Sequence, residues 1–166
     1  MRFYETGAFF ALALLAGCAT APPPPPTSIA AVGELRPGLG IAKGYLAAEA
    51  LPDSLALVPA PPAAGSAAMA ADEEAFRAAA AADAERFALS AADADLRWPQ
   101  AVAGYEAVLG TSLSGDATPH TAMLLRRVMA DGGLSTYRAK NHYKRVRPFV
   151  ANNVPSCTPQ DEAALR

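Results

Sequence analysis

From Ser66 onward the apolar positions return at helical intervals. Met69, Phe76 and Phe87 are seven and eleven residues apart, so one helical face meets each in turn, and the alanines between them are strong helix formers. That stripe reads as a core face. Beyond Trp98 the pattern restarts: Pro99 suits a helix start, Val102, Tyr105 and Leu109 share a face, and Gly110 is a stop. In "TPHTAMLLRRVMADGG" Thr118 is the expected N-cap and Pro119 the first helical residue. Leu124, Leu125, Val128 and Met129 should point inward, and Gly132-Gly133 should end the helix. A further helix is predicted from about Ser135 to near Pro148. No strand-like alternation persists, so the pattern predicts an all-α helical bundle with short connections between antiparallel neighbours. In "CTPQDEAALR", Thr158, Pro159 and Asp161 make a capping-box-like start. The sequence stops at Arg166 with that helix scarcely begun, which reads as a truncated protein.

Earlier in the chain the helical period is missing. Residues 28–65 contain Gly38, Gly40, Pro52, Pro59, Pro61 and Pro62, and "LPDSLALVPAPP" (51–62) reads as an extended, partly buried segment laid across other elements. Five consecutive prolines in "ATAPPPPPT" favour a polyproline II spacer. Before them, Arg2 precedes an apolar run from Gly7 to Ala16, too short to span a bilayer as a mature helix. The run ends in "LAGC", which resembles the lipobox of bacterial lipoproteins. That resemblance implies cleavage before Cys18, a diacylglyceryl group on its thiol, and a periplasm-facing protein tethered to a membrane of the cell envelope. An ordinary secretory signal is the alternative. The expected organisation is a signal peptide over 1–17, a lipidated Cys and spacer over 18–27, and the N-terminal part of a folded domain over 28–166.

Composition narrows the function. With 166 residues, 52% of them hydrophobic, the chain can build one core. A net charge of −2 argues against a general nucleic-acid binder, and two cysteines give no disulfide framework. Against that background "KNHYKRVRPF" (140–149) stands out. With Arg138 it holds five of the fourteen Lys and Arg, and no carboxylate lies between Gly132 and Gln160. Lys140 and Arg147 are seven residues apart, so on a continuous helix they share a face with Lys144 nearby, while Arg138 and Arg145 point elsewhere. A guanidinium fork beside an ammonium suits a small oxyanion such as phosphate. At 4 Å and an effective dielectric near 20, each charge contact is worth about 4 kcal/mol before desolvation. The charge pattern leaves open a plainer reading, a solvated basic face complementing a helix C-terminus.

The wording of the run adds to this. Lys140, six residues, then Arg147-Pro148 matches K-x6-R-P, the first signature of the type 2 phosphatidic acid phosphatase superfamily. More narrowly, "AKNHYKRVRPFV", "LPDSLALVPAPPAAGSAA", "AADADLRWP", "TPHTAMLLRRVMADGGL" and "CTPQDEAALR", in that family's order along the chain, resemble the bacterial class A nonspecific acid phosphatases. The resemblance implies a helical bundle, no metal or other cofactor, and a phosphomonoester substrate whose phosphoryl oxygens are held by Lys140 and Arg147. It further implies a phosphohistidine intermediate, with the nucleophile and general acid supplied by two later signatures, P-S-G-H and S-R-x5-H-x3-D.

Neither later signature is present. "VPSC" (154–157) has Cys157 where the second needs Gly, and the two histidines, His120 and His142, lack the required context and read as structural. No catalytic residue is therefore expected in the chain, which should be inactive alone. Two other functions remain: a lipoprotein-anchored helical module that binds phosphate or another anion without turnover, and a purely structural envelope lipoprotein. Asp72, Glu73 and Glu74 read as the solvated start of a helix, and Asp93 with Asp95 as carboxylates on different faces. Cys157 reads as a small buried hydrophobe or as the partner of a distant Cys. Whether the chain forms homo-oligomers is open.

Overall fold

The structure is a computed structural model that describes residues 22–165. The signal segment and Cys18 lie outside the described residues. Within them, helices begin where a short polar side chain can take a free backbone N–H. Ser28 Oγ accepts from Ala31 N–H at 3.2 Å and opens α1 (Ile29–Val32). Asp53 accepts from Leu55 N–H at 3.0 Å and opens α2 (Ser54–Leu57). Ser66 accepts from Met69 N–H at 3.1 Å at the head of α3 (Ala67–Ala80), and Asp83 from Arg86 N–H at 2.7 Å at the head of α4 (Ala84–Asp93). Each such cap is worth about 1 kcal/mol. The remaining elements are α5 (Gln100–Leu109), α6 (Pro119–Ser135), α7 (Tyr137–Tyr143), α8 (Pro148–Ala151), α9 (Glu162–Leu165) and two 3₁₀ turns (Ala48–Ala50 and Pro159–Asp161). The fold is all-α; an isolated antiparallel bridge between Glu34 and Ala42 is the sole β pairing among the described residues.

The apolar stripe from Met69 to Phe87 is not carried by one helix. Asp83 offers its carboxylate to the backbone in place of a helical bond, so the chain breaks at 81–83 and restarts. Phe76 and Phe87 nevertheless meet Phe149 around a shared hollow of about 440 Å³. Segment 51–62 is extended as expected except for the single turn of α2.

Gly110, at φ 64°, ends α5 in the left-handed region. On that helix Val102 is buried, but Tyr105 and Leu109 are exposed, so the expected inward face is narrower than three residues. On α6 the buried positions are Ala122, Met123 and Ala130, while Leu124 and Val128 are half exposed. The apolar pattern located the helices, but neighbouring elements decide which face is covered. Gly132-Gly133 does not end α6. A helical glycine costs about 1 kcal/mol without breaking the ladder. The helix continues to Ser135, where the Ser135 and Thr136 hydroxyls donate to the Gly132 and Gly133 carbonyls at 2.7 and 2.8 Å. Thr118 sits at the N-cap position of α6, but its hydroxyl donates to Ser112 O at 2.9 Å and so closes the preceding loop.

One face of α6 grips the N-terminal segment. The Arg127 guanidinium donates to Lys43 O (3.0 Å) and Gly44 O (2.8 Å) and stacks 3.7 Å from the Tyr45 ring centroid. One helical turn on, Asp131 accepts from Tyr45 N–H at 2.9 Å.

Candidate functional site

The basic run is positioned by the docking of α7 on α2. Arg138 pairs with Asp53 at 2.7 Å, Ser54 Oγ accepts from Ala139 N–H at 3.1 Å, and the Tyr143 hydroxyl donates to Val58 O at 3.2 Å. These three bonds lay α7 alongside the segment Val58 to Pro62.

The helix does not run to Pro148. It ends at Tyr143, and Lys144 takes a left-handed conformation, φ 45°, with its N–H on Lys140 O. For a residue with a Cβ that conformation costs about 1–3 kcal/mol and is concentrated at functional sites. Arg147 is extended (φ −69°, ψ 145°), as a residue before proline prefers, and Pro148 starts α8. The expectation that Lys140 and Arg147 share one helical face is thus corrected, because the left-handed turn at Lys144 reverses the chain between them. The reversal still brings the two together. Lys140 and Arg147 border the same solvent-open hollow of about 600 Å³, with Arg145, Tyr143, Ala139 and the wall Val58 to Pro62. Arg145, expected to point away, borders the hollow, whereas Lys144, expected near it, does not.

The cations are unequal in charge partners. Arg138 is neutralised by Asp53 and Arg145 by Asp72, both at 2.7 Å. Among the described residues no carboxylate pairs with Lys140, Lys144 or Arg147. The Lys140 ammonium lies 5.3 Å over the Tyr137 ring centroid. The hollow is thus bordered by two cations without a carboxylate partner, a third, paired guanidinium and an uncharged segment. It can hold a small oxyanion.

The hollow contains no nucleophile. His142 is exposed and packs edge-on against the Tyr143 ring, 4.9 Å between centroids, outside the lining; His120 lies exposed in the first turn of α6. Cys157 has no disulfide partner among the described residues and borders the other hollow, beside Phe149. Two contributors escaped the reading of the sequence. Asp72, taken for part of a solvated helix start, is the partner of Arg145, and Tyr143 braces the wall. For Asp72 the signal was available in the surplus of positive charge itself, which calls for carboxylates elsewhere in the chain.

No family model matches the chain. Individual proteins do. An acid phosphatase of Zymomonas mobilis is 33% identical over 114 residues, 68% of this chain and 43% of its own length. A non-specific acid phosphatase of Salmonella typhimurium is 34% identical over 111 residues, covering 66% of this chain and 44% of the relative. One of Providencia stuartii is 31% identical over 115 residues, 68% of this chain and 46% of the relative. The chain therefore spans about half the length of the relatives it matches.

Proposed function

The chain is a sequence relative of the bacterial acid phosphatases, and from that premise we propose that it is the phosphate-holding portion of an acid phosphatase acting on small phosphomonoesters. Lys140 and Arg147 bind the phosphoryl oxygens: the guanidinium as a two-pronged donor, the ammonium as a point charge. They act most strongly in the transition state, when charge spreads over the equatorial oxygens. The observation that carries this reading is their convergence. Two unpaired cations from different elements border one hollow, while the cations not in the K-x6-R-P signature at 138 and 145 are neutralised.

In the reaction proposed for the complete site, a histidine attacks phosphorus and the ester P–O bond breaks. The leaving oxygen takes a proton from a second histidine, and water then cleaves the phosphohistidine. Both histidines belong to signatures this sequence does not contain, so the 166 residues bind phosphate without turning over an ester. The "LAGC" lipobox supports a diacylglyceryl anchor on Cys18 and a periplasmic position at the envelope membrane. A purely anion-capturing lipoprotein is the second reading, favoured by the position of His120 and His142 outside the hollow.

Calorimetric titration of the full chain with inorganic phosphate, alongside an assay with 4-nitrophenyl phosphate, tests the proposal. Binding that Arg147→Ala weakens about 10-fold or more, without hydrolysis, is the expected result. No phosphate binding at any pH from 5 to 8 contradicts it, and so does hydrolysis that survives both His120→Ala and His142→Ala.

A further inference from the structure

Two unlike kinds of group line the hollow: the cations Lys140, Arg145 and Arg147, and the uncharged Val58 to Pro62 with Ala139 and Tyr143. Of the five residues from Val58 to Pro62, three are prolines, which have no backbone N–H. Valine and alanine side chains fill the rest, so this segment offers carbonyl oxygens and hydrocarbon but almost no donors. An oxyanion finds no charged partner among these residues. It must sit at the cations, which leaves the uncharged wall to whatever is esterified to it.

The wall is also stiff. Prolines 59, 61 and 62 have fixed φ, the Tyr143 hydroxyl is tied to Val58 O at 3.2 Å, and the His142 ring packs edge-on against Tyr143. Side chains with little freedom left lose little on binding. Small-molecule sites commonly combine such an apolar surface with a few polar groups that set orientation.

We propose that Val58 to Pro62 and Tyr143 form the subsite for the alcohol portion of the substrate and that it selects phosphomonoesters whose alcohol portion is apolar, aryl or alkyl, over those with a polyhydroxylated one. This rests on the phosphate-binding reading of Lys140 and Arg147 and adds the specificity to it. Tyr143 acts through its ring, as wall, and through its hydroxyl, which holds Val58 in place.

The test uses the full chain and calorimetric titration with inorganic phosphate, methylphosphonate, phenylphosphonate, hexylphosphonate and glycerol phosphate. Phenylphosphonate and hexylphosphonate should each bind about 10-fold tighter than methylphosphonate, and glycerol phosphate no tighter than methylphosphonate. The relative affinities of the phenyl and hexyl compounds separate an aryl from an alkyl preference. Val58→Ser should bring the phenyl-to-methyl ratio to within about 3-fold of unity, and Tyr143→Phe, which keeps the ring and loses the bond to Val58 O, should lower it by less. Inorganic phosphate binding with equal affinity for all four organic ligands overturns the subsite and leaves the phosphate site standing. So does a ratio that Val58→Ser does not change. Failure of inorganic phosphate itself to bind overturns both.

Discussion

The Arg145 guanidinium donates to the Asp72 carboxylate at 2.7 Å, joining residues 73 positions apart in the chain. With the Arg138–Asp53 pair it sorts a basic run that looks uniform in the sequence. Two cations are answered by carboxylates from the first half of the chain, and Lys140 and Arg147 face the hollow unanswered.

That sorting predicts unequal substitutions. Arg147→Ala removes a charged donor from the bound anion, and inorganic phosphate affinity should fall about 10-fold or more. Arg147→Lys should recover part of it, since the charge remains but the fork is lost. Arg145→Ala breaks a half-exposed pair and should cost less than about 3-fold. Titration of each variant at two salt concentrations decides: equal, small and salt-sensitive effects at all positions would make the run ordinary surface charge.

Gly44 lies where α6 closes on the N-terminal segment. A Cβ added there would overlap the Asp131 carboxylate, which accepts from Tyr45 N–H at 2.9 Å. Gly44→Ala should therefore destabilise the fold by about 1–3 kcal/mol, read as a lower urea midpoint. In the Asp131→Ala background the same change should cost much less, because the clash partner is gone. An additive double variant contradicts the contact.

Asp95 gives a pH prediction. Arg97 donates to both its oxygens at 2.8 Å and its own N–H to Oδ1 at 3.0 Å, and the side-chain bonds are the larger cause holding the Asp95 carboxyl below its ordinary value of 3.8. A carboxylate with a depressed folded value stabilises the fold at pH above the unfolded value and loses that contribution as pH falls through the folded one. Thermal melts of the parent chain and Asp95→Asn should differ above pH 4 and converge as acid titrates Asp95. A gap that widens on acidification would contradict the assignment. Arg97 is exposed and Asp95 only partly covered, so the gap should be small.

The anchor proposed at Cys18 is tested by mass. Cys18→Ser should abolish acylation and release the protein from the membrane fraction. Intact mass of membrane-extracted parent chain showing an unmodified Cys18 thiol would overturn it.

How much was legible follows the range of the interaction. The starts of α3, α5 and α6 could be read at Ser66, Pro99, Thr118 and Pro119 because caps and proline act within about three residues. The break at Asp83 and the reversal at Lys144 were missed for a related reason. At Asp83 a side-chain bond to the backbone competes with an otherwise good helical pattern, and at Lys144 a single left-handed residue ends it; periodicity alone weighs neither. On the buried faces of α5 and α6 the pattern failed at Tyr105, Leu109, Leu124 and Val128, since burial depends on what packs against a helix.

The sequence by itself determined the helical class, which follows from residue type and local spacing, and it singled out Lys140 and Arg147 through the resemblance of K-x6-R-P to a family signature. Only the tertiary structure decided that the two border one hollow on either side of a left-handed turn, that Asp53 and Asp72 pair with Arg138 and Arg145, and that Val58 to Pro62 lines the same hollow. The pairing and the placement of the wall rest on bonds between residues 73 to 85 positions apart, such as Arg145–Asp72, Ala139–Ser54 and Tyr143–Val58. No local preference specifies such a bond. It forms when α7 packs on α2 and segment 144–147 on α3, and the energy that selects that packing is summed over the whole interface.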